Sequence, residues 1–277
     1  MVETFYTVSS CPVSVALVTD THDWPAAPVL ESLEKRQPEL ILIAGDFLYA
    51  APPRVPGRLK MQESGNAAAL LRDCASVAPT YVSIGNHDWM LNDLDLELIS
   101  SLGVTLLDNR FVSVDINGQA LCIGGLSSSK FTAYRHWRQS QQVSFLYPEP
   151  DRTVWAHRPE PETQWLDTFE QQPGFRILLC HHPEYVPRCL SNRAIDLIVS
   201  GHAHGGQWRY YSPIRRQWQG LYAPGQGLFP KLTGGIRGNH VISRGLSNNT
   251  LIPRLNNPPE LVYIESNTLK QSNRISR

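Results

Sequence analysis

The segment Gly201-His202-Ala203-His204-Gly205-Gly206-Gln207 sets two histidines one residue apart between glycines. It follows the apolar run Ile195–Val199, which predicts a buried strand that ends in a sharp turn. Imidazole nitrogens are common ligands of transition metals, and side chains two residues apart on an extended chain point to the same face. An isolated His-x-His pair is more often a turn residue and a surface group. The pair therefore predicts a metal site only if other strand ends supply more ligands.

Four other predicted strands also end in polar residues. These apolar runs are Val13–Thr19, Leu40–Ala44, Thr80–Ile84 and Arg176–Cys180. They are followed in order by Asp20-Thr21-His22, Gly45-Asp46, Gly85-Asn86-His87-Asp88 and His181-His182-Pro183. Runs of this kind are typical of strands that are buried on both faces. Because open α/β sheets bind ligands at the carboxyl ends of their strands, we expect the five ends to meet in one crevice.

The donor atoms at these ends suit a pair of metal ions. They comprise two carboxylates, one carboxamide oxygen and four imidazoles, a mixed set that suits Mn, Fe or Zn. Two metals ~3.5–4 Å apart can hold an attacking hydroxide and two phosphate oxygens during an in-line displacement, and a carboxylate can bridge them. The sequence has no Gly-x-Ser-x-Gly elbow and no Walker A loop, which excludes serine hydrolases and P-loop NTPases of the usual kind.

The composition is that of a globular protein. The chain has 277 residues, of which 42% are hydrophobic and 18% are charged. Lys plus Arg and Asp plus Glu each number 25, so no coating of nucleic acid is expected. No apolar run is long enough to span a membrane, and Met1–Tyr6 lacks the features of a secretory signal. We expect a cytoplasmic protein, and a peripheral contact with the membrane is left open.

The order of the predicted elements favours an α/β layered fold. Helices are predicted at Pro28–Gln37, Asn66–Val77, Leu94–Leu102 and Glu162–Gln172, and strands alternate with them in the first half. Later strands lie closer together, which indicates a mixed sheet or two facing sheets flanked by helices. No repeat or linker divides the chain, so residues 1–277 are expected to form a single domain.

Residues 127–161 are the least regular part of the chain and carry several basic and aromatic side chains. Lys130, Arg135 and Arg138 in this segment are candidates for binding substrate. The segment is either a lid that binds phosphate and an acyl chain or base, or a solvated loop with ordinary surface charge.

The ordered strand ends resemble the calcineurin-like metallophosphoesterase superfamily from Val13 to His204. The resemblance implies a two-sheet β-sandwich flanked by helices, with a dinuclear metal site at one edge. It implies that Asp20, His22 and His204 bind the first metal, that Asn86, His181 and His202 bind the second, and that Asp46 bridges both. It also implies that His87 acts as a general acid or orients the phosphate, although His87 could instead only support the ligands.

Asp88 is expected to orient a neighbour by a hydrogen bond, and His182 is interpreted as a turn residue.

The motifs also favour one branch of this superfamily. Gly45-Asp46 continues into Phe47-Leu48-Tyr49 and lacks the aspartate and arginine that follow in serine/threonine phosphatases. The Gly-Gly-Gln tail after His204, the segment Ser243–Leu246 and the segment Pro258–Glu260 resemble a bacterial phosphodiesterase branch. That branch includes membrane-associated phosphoesterases and a UDP-2,3-diacylglucosamine diphosphatase.

The expected function is hydrolysis of a phosphodiester or pyrophosphate bond by two divalent metal ions and the hydroxide that they activate. The expected substrate is a small molecule, and whether it is nucleotide-linked or lipid-linked is left open, as is the oligomeric state. One alternative is a phosphomonoesterase that uses the same site. The other is a metal-binding scaffold without catalysis, against which the full set of seven ligands argues.

Overall fold

The computed structural model of the chain describes residues 1–141, 146–150, 154, 160–214, 216–223, 227–228, 232–248 and 252–265. The strands are β1 Val2–Thr7, β2 Val15–Val18, β3 Leu40–Ala44, β4 Thr80–Ser83, β5 Thr105–Leu106, β6 Arg110–Ile116, β7 Gln119–Leu126, β8 Phe175–Cys180, β9 Leu197–Ser200, β10 Arg209–Ser212, β11 Gln217–Gly220, β12 Tyr222–Ala223, β13 Gly227–Leu228, β14 Gly235–Arg237, β15 His240–Ile242 and β16 Glu260–Glu265. The α-helices are α1 Ala27–Arg36, α2 Lys60–Glu63, α3 Gly65–Val77, α4 Asp93–Ser101, α5 Ser129–Gln141 and α6 Leu166–Phe169. A π-helical turn spans Val186–Leu190, and a 3₁₀ turn spans His204–Gly206.

Two six-stranded sheets form the centre of the fold. The first has the order β1-β16-β2-β3-β4-β5, and the second has the order β14-β15-β9-β8-β7-β6. Strands β2, β3 and β4 are parallel neighbours in the first sheet, and β7, β8 and β9 are parallel neighbours in the second. Parallel neighbours bring their carboxyl ends to the same edge of a sheet, which positions the loops that follow them.

The two sheets pack face to face through a common apolar layer. Its members include Leu17, Leu42, Ile123, Ile177 and Val199, all buried. The outer face of the first sheet is covered by helices α1, α3 and α4. The outer face of the second sheet is covered by α6 and by the π-helical turn. The central strands are therefore buried on both sides, which explains their nearly continuous apolar sequences. The predicted two-sheet sandwich flanked by helices is confirmed.

Some predicted elements differ from the structure. The helix predicted at Glu162–Gln172 is limited to α6, and the segment expected to be irregular contains α5. Phe131 and Tyr134 lie one turn apart on α5 and are fully buried, so aromatic packing stabilises a helix with mostly polar neighbours. The part of residues 127–161 at 142–145, 151–153 and 155–159 lies outside the described residues, and a lid there stays a prediction. Within the described part of the chain, no helix has the length and apolar character needed to cross a membrane.

Candidate metal centre

The predicted metal-binding residues lie together at the carboxyl ends of strands from both sheets. Four groups of three described residues have their ligand atoms within 4.8 Å of one another, and two of these groups consist only of predicted metal ligands. The first group is Asp20, His22 and His204, and the second group is Asp46, His181 and His202. Asn86 follows β4 and lies next to His87, whose backbone N–H donates a 2.7 Å hydrogen bond to Asp46 Oδ1. The arrangement therefore brings the seven predicted ligands to one place.

In the first group, the coordinating nitrogens converge on one point. His22 Nε2 and His204 Nε2 are 3.4 Å apart, and His204 Nε2 is 3.5 Å from Asp20 Oδ1. The Nδ1 atoms of both rings lie 3.2 Å from backbone carbonyl oxygens, of Leu48 and Ser247. Since a carbonyl can only accept, the contact with Leu48 places the hydrogen of His22 on Nδ1 and leaves a lone pair on Nε2, whereas His204 Nδ1 also lies 3.0 Å from Arg254 Nη2, which can only donate. Burial lowers the pKa of both histidines, which keeps them neutral, as metal ligands must be.

In the second group, two of the predicted ligands, His181 and Asp46, form an ion pair. His181 Nε2 lies 3.1 Å from Asp46 Oδ2, and His181 Nδ1 lies 2.7 Å from the Ala44 carbonyl. Burial alone would lower the pKa of His181, but the carboxylates of Asp46 and Asp20 raise it to about 10. His181 lowers the pKa of Asp46 well below its usual range in return, against the effect of burial. Burial and the neighbouring His182 lower the pKa of His202 to about 3.

Three buried polar atoms, two in this group and one on Asn86, indicate whether the site could hold a cation. Asn86 Oδ1 has no hydrogen-bond partner among the described residues, whereas Asp46 Oδ2 and His181 Nε2 face each other 3.1 Å apart as an ion pair. Buried polar atoms are rarely left unsatisfied, and each such atom costs about 1–3 kcal/mol. Two oxygens and one imidazole nitrogen are also a donor set that divalent transition metals accept. The residues present therefore fit a metal ion.

The ligand loops have a left-handed backbone at several positions. The residues with positive φ are Asp20 (53°), His22 (45°), Asp46 (55°), His202 (66°) and His204 (44°). Such conformations cost about 1–3 kcal/mol for residues other than glycine and persist only where the surroundings impose them. The expectation that His202 and His204 point to one face of an extended chain was wrong. The left-handed turns send His202 towards Asp46 and His204 towards Asp20.

Hydrogen bonds to the backbone hold these loops in place. The Asp88 carboxylate accepts from the backbone N–H groups of Asp46 (2.7 Å), Gly85 (2.8 Å) and Leu48 (2.9 Å), so it orients its neighbours as expected. Asp20 accepts from the His202 N–H with both carboxylate oxygens at 3.1 Å, which ties the loops after β2 and β9 together.

The segment Ser243–Leu246 supports the same loops. Arg244 N donates to Glu260 Oε1 at 2.7 Å, which joins the two C-terminal motifs noted in the sequence. Leu246 N donates to the Thr19 carbonyl at 3.1 Å, and Ser247 N donates to the Asp20 carbonyl at 2.9 Å. These motifs therefore fix the end of β2.

His87 borders both groups of ligands. Its ring is edge-on to the ring of His22, with centroids 4.6 Å apart, and its nitrogens approach His22 and Asp46 to within 4.8 Å. Burial lowers the pKa of His87 to about 4, although Asp46 opposes this shift. The imidazole is therefore neutral at pH 7 and can donate a hydrogen bond through one nitrogen.

The three predicted substrate residues lie in different surroundings on α5. The Lys130 ammonium lies 4.9 Å from the centroid of the Trp89 ring and is attracted by Asp46. Arg135 forms an ion pair with Asp108, and Arg138 lies near Tyr134. Among the contacts of the described residues, those of Lys130 connect it to the metal centre, whereas those of Arg135 and Arg138 do not.

Glu184 is a neighbour of the centre that the sequence interpretation missed. Glu184 Oε1 lies 3.7 Å from His202 Nε2 and 3.1 Å from His182 Nδ1, and His182 Nε2 lies 2.8 Å from Ser128 Oγ. His182 is thus a buried, hydrogen-bonded residue as well as the start of a turn. A carboxylate three positions after the predicted ligand His181 was the available signal in the sequence. At 3.7 Å Glu184 is too far from His202 for a hydrogen bond, so it acts on His202 as a neighbouring negative charge and hydrogen-bonds His182.

Comparisons with known proteins give the same family as the motifs. A family model described as calcineurin-like phosphoesterase matches residues 13–206. F40B5.2, a Caenorhabditis elegans protein named as a metallophosphoesterase, is 24% identical over 219 residues, which cover 73% of this chain and 38% of that protein. YpbG of Bacillus subtilis (strain 168) is 24% identical over 201 residues, which cover 72% of this chain and 64% of that protein. Phosphodiesterase YaeI of Escherichia coli (strain K12) is 22% identical over 242 residues, which cover 80% of this chain and 74% of that protein. The chain thus spans less than two thirds of the length of F40B5.2 and YpbG.

Proposed function

Because the chain belongs to the calcineurin-like phosphoesterase family, we propose that it hydrolyses a phosphodiester or pyrophosphate bond in a small-molecule substrate with two divalent cations. The family uses divalent metals, and membership in it supports a metal-dependent phosphoester hydrolase. The observation that carries the finer proposal is the pair of ligand groups, with the buried Asn86 Oδ1 left without a hydrogen-bond partner among the described residues. The name of the relative YaeI supports a phosphodiester over a monoester.

Each group of ligands would hold one cation. Asp20, His22 and His204 would hold the first, and His181 and His202 would hold the second together with Asn86. Asp46 would contact both, since its carboxylate lies 3.1 Å from His181 Nε2 and 4.0 Å from His22 Nε2. When bound, the cations would supply Lewis acidity and lower the pKa of coordinated water. The mixed oxygen and nitrogen donors suit Mn, Fe or Zn.

The protein side chains would orient the phosphate and manage the proton of the leaving group. Hydrolysis forms a bond between the oxygen of water and phosphorus and breaks the bond to the leaving oxygen, which takes up a proton. His87 would donate a hydrogen bond to a phosphate oxygen or to the leaving oxygen. Its neutral state in the substrate-free protein favours hydrogen bonding, and the negative charge of a bound phosphate would raise its pKa towards a proton-donating role. Lys130 would add positive charge at the same side of the centre.

Metal analysis followed by a comparison of two chromogenic esters tests this proposal. We expect two metal ions per chain and faster hydrolysis of bis(p-nitrophenyl) phosphate than of p-nitrophenyl phosphate. Asp46→Asn should lose metal and activity, whereas Asp73→Asn on α3 should retain both. Faster hydrolysis of the monoester would indicate the phosphomonoesterase alternative. Full metal content without hydrolysis of these esters or of a UDP-linked lipid would indicate a binding scaffold.

A further inference from the structure

A cavity of about 510 Å³ opens beside the metal centre. It shares His22 with the first group of ligands, and much of its wall comes from the segment at 49–64 that follows β3. Ligand sites in proteins usually measure about 300–1,000 Å³, so this space suits part of a small-molecule substrate. None of the three basic residues predicted to bind substrate lines it.

The charged lining of this cavity is mostly basic. Arg54, Arg58 and Lys60 line it together with the acidic residues Asp23 and Glu63. The two arginines are exposed, whereas Lys60 is only 7% exposed. No carboxylate in the described part of the chain lies within 4.0 Å of the Lys60 ammonium, which is the distance limit for an ion pair. Burial lowers the pKa of the Lys60 ammonium, the carboxylates of Asp23, Glu63 and Asp95 oppose this shift, and an anionic ligand would stabilise the cation further.

The carboxylates near the arginines are already used to hold the backbone. Glu63 accepts hydrogen bonds from the backbone N–H groups of Arg54 (2.7 Å) and Val55 (2.6 Å). Lys60 N donates to the Tyr147 hydroxyl at 2.6 Å, and this hydroxyl donates to Asp95 Oδ2 at 2.6 Å. The segment that carries the basic side chains is therefore fixed before a ligand arrives, which lowers the entropy that binding costs.

Tyr49 lines the cavity together with His22 and the basic residues. Its ring centroid is 6.0 Å from that of His22, and the residue is 49% exposed. An exposed aromatic ring beside a ligand histidine offers an apolar surface to a sugar or a base. A substrate that is bound at the centre could thus extend across Tyr49 towards Arg54 and Arg58.

We propose that this cavity binds a second phosphate of the same substrate whose phosphoester bond is hydrolysed at the metal centre. Arg54, Arg58 and Lys60 would contact that phosphate, and Tyr49 would contact the group that joins the two phosphates. Guanidinium groups match the geometry of phosphate oxygens with two parallel hydrogen bonds. This inference rests on the proposed function and narrows its substrate to small molecules that carry a further phosphate beside the bond that is cleaved.

Two matched chromogenic diesters test the inference. Thymidine 5′-(p-nitrophenyl phosphate) is compared with the same compound bearing a 3′-phosphate, so the substrates differ only in the second phosphate. The metal-loaded protein should show a kcat/KM about tenfold or more higher for the 3′-phosphorylated compound, mainly through KM. The double substitution Arg54→Ala/Arg58→Ala should reduce this ratio to about one.

Controls separate this inference from the proposed function. Arg72→Ala removes an exposed positive charge on α3, outside the cavity lining, and should leave the ratio unchanged. Lys60→Met should also lower the ratio, and its Tm shows whether the protein still folds. Equal rates on the two diesters, or a ratio that survives the double substitution, would overturn the inference. Hydrolysis of neither diester would instead refute the proposed phosphodiesterase.

Discussion

Replacing Gly85 with alanine would place a methyl group against Asp46. The added Cβ would lie 2.2 Å from Asp46 Oδ1 and 2.4 Å from Asp46 N, whereas real Cβ contacts essentially never fall below 3.0 Å. The Asp46 carboxylate and the loop at residue 85 must therefore move apart by about 0.8 Å or more. The backbone of Gly85 is not left-handed, so this clash alone opposes alanine.

The size of the effect follows from the position of Asp46. A shift of about 1 Å in a catalytic arrangement can cost ~100-fold in rate, which equals ~2.7 kcal/mol. Overpacking a tight site also costs about 1–3 kcal/mol of stability. We expect Gly85→Ala to lower kcat/KM on bis(p-nitrophenyl) phosphate by ~100-fold and to reduce metal content. Metal analysis, initial rates and calorimetry measure the three effects.

Gly65→Ala is the matched control for this substitution. Gly65 is the first residue of α3, its backbone is not left-handed, and a Cβ there meets nothing within 4 Å. Alanine is also the better helix former by up to ~1 kcal/mol, so this variant should be as active and at least as stable as the original protein. If Gly85→Ala bound two metals and matched Gly65→Ala within about threefold in rate, the position of the Asp46 carboxylate would not limit the reaction.

Three further predictions concern other residues of the centre. His87→Ala should retain both metals while kcat falls by ~10²–10⁴, and metal loss in step with activity would make His87 structural. Glu184→Gln should weaken metal affinity by ~10–100-fold because the negative charge beside His202 is lost, with Glu184→Asp nearer to the original, and equal affinity in all three proteins would remove this role. His181 is protonated in the metal-free protein below its pKa of about 10 and must be neutral to bind metal. Metal affinity should therefore rise as pH increases from 7 to 9, with release of about one proton, which calorimetry in buffers of different ionisation enthalpy would detect.

The strands that carry the ligands could be predicted because their sequences depend on burial alone. The run Leu40–Ala44 coincides with β3, and the polar residues predicted at the strand ends lie close together in the structure. Strand β1 was missed because its half-exposed residues have no continuous apolar pattern. Helix α5 was missed because its helical character comes from tertiary contacts of Phe131 and Tyr134. The basic residues of the cavity and Glu184 belong to local segments, but their positions beside the centre depend on tertiary contacts that the local sequence pattern does not reveal.

The division of ligands between the sheets explains why the centre needs the whole sandwich. Asp20 and His22 follow β2 of the first sheet, whereas His204 follows β9 of the second. In the same way, Asp46 follows β3, and its partners His181 and His202 follow β8 and β9. Each group of ligands therefore exists only when the apolar layer holds the two sheets together. Conversely, a cation held by either group would join the two sheets at their edge and offset the cost of the left-handed turns there, so metal binding and packing of the sandwich stabilise each other.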